Sequence, residues 1–363
     1  MENYTSDSSD NDSANKTLDF SYLSLDGDSF TKYLEDILIN NKKTYDEIEN
    51  ISIHHNHFEL FPEPLLKFNN LKTLDISSNG LTVLPDIFKC CNLTTFTARN
   101  NNLTNESLPK TFSVNYSCRE LNLNGNCFTE FPEQILDLIN LKYLYLGGNK
   151  ITSISRNIGK LSNICRTMML CSLQILSMGG NALTEIPASV GQLKMLHALV
   201  LCDNQIECLP SNITQLKHLK SLLLHKNHLR TLPPEIVLLK NLTELSLRDN
   251  PLVVRFVSDM TYNPASLLEL AARTIKLHNL KIKKWEIPQT LTAYLESGHR
   301  CVNPNCQGVY FDNRVEHIKF VDFCGKYRIP LLQYLCSSKC IQGGSCYDVQ
   351  LSKSHMMRKV LLG

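Results

Sequence analysis

The 363-residue chain holds one tryptophan, almost no excess charge and no long apolar run, and each shortage excludes something. With 37 Lys and Arg against 35 Asp and Glu, the net charge of +2 gives neither nucleic acid nor an anionic membrane a field to follow. No stretch of about 18 apolar residues is present to span a bilayer. Met1 to Lys16 is rich in Ser, Asp and Asn and lacks the apolar centre of a secretory signal, so a cytoplasmic or nuclear location is expected. Asn-x-Ser/Thr triplets such as Asn92-Leu-Thr94 then read as by-products of patterning rather than glycosylation sites. A Ser/His/Asp order and a phosphate-cradling glycine loop are also missing, which points away from catalysis.

What the chain has in abundance is one pattern, three apolar residues at minus eight, minus five and minus three from an asparagine. It runs from Ile48/Ile51/Ile53 before Asn56 through Leu71/Leu74/Ile76 before Asn79 to Leu242/Leu245/Leu247 before Asn250. The other asparagines are Asn101, Asn126, Asn149, Asn181, Asn204 and Asn227, and most intervals are 23 residues. That period is the signature of a leucine-rich repeat, and isolated amphipathic helices would need 3.6 instead. The minus five and minus three residues share one face of a short strand, so both enter a common core. The asparagine amide is placed to satisfy backbone groups freed where the strand ends. Prolines after Leu84, Phe131, Ile186, Leu209 and Leu232 open the convex return, where a missing N–H costs nothing. The expected fold is an α/β leucine-rich repeat solenoid, curved, with parallel strands on its concave face.

The expected layout is a disordered tail (1–16), an N-terminal cap (17–45), nine repeats (46–256), a helical segment (257–298), a cysteine-rich module (299–346) and a terminal tail (347–363). The interval from Asn149 to Asn181 is 32 residues, and removing Ile164 to Ser172 would restore 23. Those nine residues are either a convex loop or an artefact of gene-model translation. On the concave face, Tyr145, Val200 and Leu223 are apolar at minus four, while Gly147, Gly179, Cys202, His225 and Arg248 stand at minus two. Gly148 and Gly180 are expected, with Gly147 and Gly179, to open space between the apolar groups. Together these residues form the candidate binding surface for a protein partner.

After the repeats, Ser266 to Ile275 has helical composition, with Leu267, Ala271 and Ile275 on one stripe. On the bland reading it caps the last coil. Its spacing, Ser-Leu, then a small residue four on and an aliphatic four further, resembles the elongin-C-binding box of cullin-RING substrate receptors. Ile287-Pro288-Gln-Thr-Leu291-Thr-Ala-Tyr-Leu295 is similar to the cullin box that follows it in the same family. The resemblance implies that Ser266, Leu267, Ala271 and Ile275 meet elongin C, and with it elongin B. It also implies that Ile287, Pro288, Leu291 and Leu295 meet a cullin. Cullin-2 is closer than cullin-5, whose longer Leu-Pro element is absent.

Six of the 14 cysteines fall between Cys301 and Cys346. The pairs Cys301/Cys306 and Cys336/Cys340 flank a strand-rich stretch and read as a four-thiolate structural zinc site, with Cys324, Cys346 and His317 as substitute ligands. Elsewhere a cysteine such as Cys118 simply replaces a core leucine. Two functions are therefore in play. One is a non-catalytic ubiquitin-ligase receptor presenting an unidentified protein substrate; the other is a signalling scaffold for a small GTPase or phosphatase. They part on whether the face of Leu267, Ala271 and Ile275 is free or buried on the last coil.

Overall fold

The computed structural model describes residues 16–40, 44–89, 91–113, 117–162, 172–253, 265–280, 282, 287–303, 305–323, 327–342 and 359–361. Ten three-residue strands pair in parallel and in chain order. They are β1 (Thr17–Asp19), β2 (Asn50–Ser52), β3 (Thr73–Asp75), β4 (Thr95–Thr97), β5 (Glu120–Asn122), β6 (Tyr143–Tyr145), β7 (Ile175–Ser177), β8 (Ala198–Val200), β9 (Ser221–Leu223) and β10 (Glu244–Ser246). In β2 through β10 the central residue, the minus five position, is buried, and so is the minus three residue beyond the strand. Each fully buried leucine contributes roughly 2 kcal/mol gross. A coil cannot bury these residues by itself, so the core is continuous only when coils stack. The fold is the expected leucine-rich repeat solenoid.

Asparagines join the coils. Asn126 donates through Nδ2 to Ala98 O of the preceding coil and to Leu123 O of its own, each at 3.0 Å, while its Oδ1 accepts from Leu103 N at 3.2 Å. The bond to the preceding coil recurs from Asn79 to Asn250, and the bond to the carbonyl three residues back does too except at Asn101, which donates to Arg99 O instead. Just before each asparagine the chain turns through left-handed φ, at His55, Ser78, Asn100, Asp203, Lys226 and Asp249 as well as at Gly125, Gly148 and Gly180. Gly148 and Gly180 therefore serve this corner rather than opening space on the concave face, which corrects the expectation. Gly147 and Gly179 do not open space either, because neighbouring atoms already fill the place of a side chain. A Cβ on Gly147 would lie 2.9 Å from Gly179 O, and one on Gly179 would lie 2.7 Å from Cys202 Sγ.

At the N-terminal end, α1 (Gly27–Asn40) buries Phe30, Leu34 and Leu38, a stripe at i, i+4 and i+8, over the first coils. Phe30 meets Phe20 and Phe58 edge-on, with centroids 5.3 and 5.5 Å apart. Further along, β6 pairs directly with β7, Tyr143 opposite Ile175, although 163–171 lie between them. The inserted stretch itself, Ser172 apart, lies outside the described residues.

Past the repeats come α2 (Leu267–Leu277), α3 (Gln289–Glu296), β11 (His299–Arg300), β12 (Val309–Tyr310), β13 (Val315–Phe323) and β14 (Tyr327–Leu335). The β13–β14 hairpin is docked on the solenoid. Leu232 N donates to Pro330 O at 3.0 Å and Leu332 N to Leu232 O at 2.9 Å, while Val321, Ile329 and Leu331 join the repeat core. Lys359–Leu361, within the stretch read as a tail, forms β15 and pairs in parallel with β10, becoming the eleventh strand of the sheet.

Candidate functional site

Two short turns carry the cysteines. Cys301 follows β11 and Cys306 precedes β12, and that antiparallel pair closes the first turn, with Cys301 N donating to Gly308 O at 2.8 Å. Cys336 follows β14, and Cys340 sits in a 3-10 turn (Ser338–Gln342), its N–H donating to Ser337 O at 3.1 Å. Asn303 Nδ2 donates to Cys340 O at 3.1 Å and ties the two turns together. All four sulfurs lie within 4.8 Å of one another, with Cys306–Cys336 at 3.5 Å and Cys336–Cys340 at 3.7 Å. Tetrahedral zinc with bonds of about 2.3 Å requires sulfur separations of about 3.8 Å, so the thiols stand where such an ion would hold them. A Cβ at Gly308 would collide with Cys336 Sγ, so glycine is required there. Burial pushes the Cys301 and Cys336 thiols up. Burial also acts to raise Cys340, but hydrogen bonds from Ser337 and the neighbouring thiols outweigh it and leave that thiol below its usual value. Of the substitutes, His317 lies outside the four-sulfur group, and Cys324 and Cys346 are outside the described residues.

Helix α2 rests on this module rather than on the last coil. Ser266 caps it, accepting from Glu269 N at 3.2 Å. The inward residues are Ala272, packed with Val309 and Phe311, and Glu269, which is 1% exposed. Leu267 is 86% exposed, Ala271 is exposed as well and Ile275 is half-buried. Leu268, Leu270, Leu277 and Leu280 are further exposed leucines around it. The segment read as a second box splits differently. Pro288 is exposed, and Ile287 and Leu291 are half-buried. Leu295 and Tyr294 of α3 pack on the Ala272/Val309/Phe311 cluster, so the chain itself uses part of Leu295. Tyr294 stacks on Phe311 at 4.9 Å and donates to Asp312 Oδ2 at 2.9 Å; burial, then Asp312, raises its hydroxyl to about 12.

On the concave face, Tyr145, Ser177, Val200 and Leu223 stand side by side in register. Tyr143 and Ile175, neighbours on the same face, extend the apolar panel. The sequence reading did not include them, although they follow the same alternation two residues upstream. Cys202 and His225 flank the panel half-buried, His225 Nδ1 lies 3.2 Å from Ser246 Oγ, and Arg248 is exposed.

Stacked parallel strands, an asparagine ladder and 3-10 convex turns define a leucine-rich repeat protein, a class that generally works through protein–protein contact rather than catalysis. The Leucine Rich Repeat family pattern matches residues 70–91 and 140–161. The chain is 48% identical over 326 residues to leucine-rich repeat-containing protein 58 of Xenopus laevis, covering 87% of this chain and 90% of that one. It is 44% identical over 365 residues to the Mus musculus protein of that name, covering 95% and 97%. Among solved structures it is similar to an internalin of Listeria monocytogenes, 20% identical, TM-score 0.45, over 57% of this chain and 63% of that one. The chain belongs to the family of leucine-rich repeat-containing protein 58.

Proposed function

We propose that this protein is the substrate-recognition subunit of an elongin/cullin-type ubiquitin ligase, with zinc in the four-cysteine site and a protein substrate on the concave face. The observation that carries the reading is the pose of α2. It is anchored through Glu269 and Ala272, yet Leu267 and Ala271, which the resemblance assigns to elongin C, face solvent. A capping helix would bury its leucines and expose its glutamate. The end of the sheet is covered by other means, β15 on β10 and the hairpin on Leu232. Nine described cysteines are free thiols, in keeping with a reducing cytoplasmic or nuclear setting. The apolar concave panel also suits a scaffold that binds a small GTPase or phosphatase, and such a scaffold would not need α2. Capture of purified elongin B–elongin C and cullin-2 by the full-length chain tests the choice. The receptor reading expects capture that is lost in a Leu267→Ala, Pro288→Ala variant; a wild type that captures neither complex leaves the scaffold.

A further inference from the structure

A buried ion pair lies between the exposed face of α2 and the cysteines. The Glu269 carboxylate is 2% exposed and has no solvent to compensate it. Its Oε1 accepts from Arg273 Nε at 3.0 Å, Arg273 Nη2 at 2.6 Å and Phe311 N at 3.1 Å, and its Oε2 accepts from Asn313 N at 2.8 Å. Arg273 uses its remaining donors outward, Nη1 to Cys336 O at 3.0 Å and Nη2 to Asn313 O. Two side chains of one helical turn thus clamp two segments distant in sequence. One is the 311–313 loop that continues from Cys306, and the other is the Cys336 turn. Burial alone would raise the Glu269 pKa, but Arg273 and the two main-chain donors outweigh it and hold the carboxyl below its usual value.

We propose that Glu269 and Arg273 are positioning residues that couple metal occupancy of Cys301, Cys306, Cys336 and Cys340 to the pose in which α2 presents Leu267 and Ala271. The coupling deepens the receptor reading and rests on it for the zinc and for the identity of the partner. Its physical basis is that a buried carboxylate tolerates its site only while its donors stay in place. The metal fixes Cys336 and the 301–306 turn relative to each other, and with them the Cys336 carbonyl and the Phe311 and Asn313 amides. When the four sulfurs part, the clamp loses partners on both segments, and α2, in which Glu269 and Ala272 are the buried residues, leaves with it. Linkage makes the effect reciprocal: a protein that binds α2 in this pose tightens metal binding by the same factor.

The test uses full-length protein with zinc as the only added ligand. Amide hydrogen exchange of Leu270–Leu277 is compared in zinc-loaded and chelator-stripped protein, with the Ala198–Val200 strand as internal reference. Stripping should speed exchange in α2 at least ~10-fold and leave the reference unchanged. Zinc affinity is then measured by chelator competition. Arg273→Ala should weaken it roughly 10-fold, the size of effect seen when groups supporting a ligand are removed, and should make α2 exchange fast with or without zinc. Arg273→Lys, which keeps the charge but not the fork, should fall between. Equal α2 exchange in loaded and stripped wild type, a comparison that needs no variant, would overturn the proposal. So would Arg273→Ala protein that loosens α2 at unchanged zinc affinity. Elongin capture is scored separately: zinc-dependent exchange without capture supports the coupling and counts only against the receptor reading.

Discussion

Asn204→Ala measures what one rung of the ladder contributes. Asn204 is 7% exposed, and its Oδ1 accepts from Leu183 N at 3.0 Å. Its Nδ2 donates to Met178 O, Leu201 O and Cys202 O at 3.0, 3.1 and 3.1 Å. The losses are unequal. Met178 O keeps Asn181 and Leu201 O keeps Asn227, so each carbonyl loses one of two donors. Leu183 N–H loses its acceptor and is left in the core. A stranded buried donor costs ~1–3 kcal/mol and each bond lost to a still-partnered group somewhat under ~1, giving ~2–4 kcal/mol in all. Asn204→Asp keeps the acceptor, loses the donors and buries a charge, and should cost at least as much. Asn241→Ala removes an exposed side chain bonded to Lys217 O and should cost under ~0.5 kcal/mol. Urea unfolding followed by circular dichroism reads these as midpoint shifts at constant slope. A loss below ~1 kcal/mol for Asn204→Ala would refute the claim that the asparagines hold the coils together.

Deleting Ile164 to Ser172 should leave the solenoid intact, because Leu173 N already donates to Leu161 O at 3.2 Å across the insertion. The melting temperature should move by no more than about 3 °C, since loop length enters stability only logarithmically; loss of cooperative unfolding would refute this. Elemental analysis should find one zinc per chain, absent from a Cys301→Ser, Cys336→Ser variant. Affinity should rise with pH near neutrality, because raised thiols at Cys301 and Cys336 are protonated there and must release their protons to bind metal. These two protons alone imply at least about 100-fold per pH unit, and a pH-independent affinity would exclude both as ligands.

Repetition and spacing made the solenoid and the four cysteines legible, since each asparagine and each short-spaced cysteine pair states its geometry locally. The end of the molecule was less so. Lys359–Leu361 has no asparagine after it, and three residues carry no period, so only its pairing with β10 reveals a strand. Leu232 stands before a proline in the repeat pattern, but its partner Pro330 lies about 100 residues on, beyond any local pattern. In α2 the stripe of Leu267, Ala271 and Ile275 was visible, but not which stripe turns inward. Propensity argues for burying leucines, and the structure instead buries Glu269, whose charge is met by Arg273 and two main-chain amides. Concave Tyr143 and Ile175 lie on the minus six row, outside the minus four and minus two rows that mark the face in the sequence.

The central claim, that α2 is held by its own chain while offering its leucine face to another, is tested most directly at Leu267. Elongin B–elongin C is titrated into zinc-loaded wild type and Leu267→Ala protein, and both are melted under the same conditions. At 86% exposure, truncation should leave the melting temperature within about 2 °C. An anchoring leucine typically contributes ~2 kcal/mol or more in a partner's pocket, so affinity should fall at least ~10-fold. A lowered melt of the size expected for a buried leucine, ~2–5 kcal/mol, with no elongin binding by the wild type, would contradict the account and make α2 a cap.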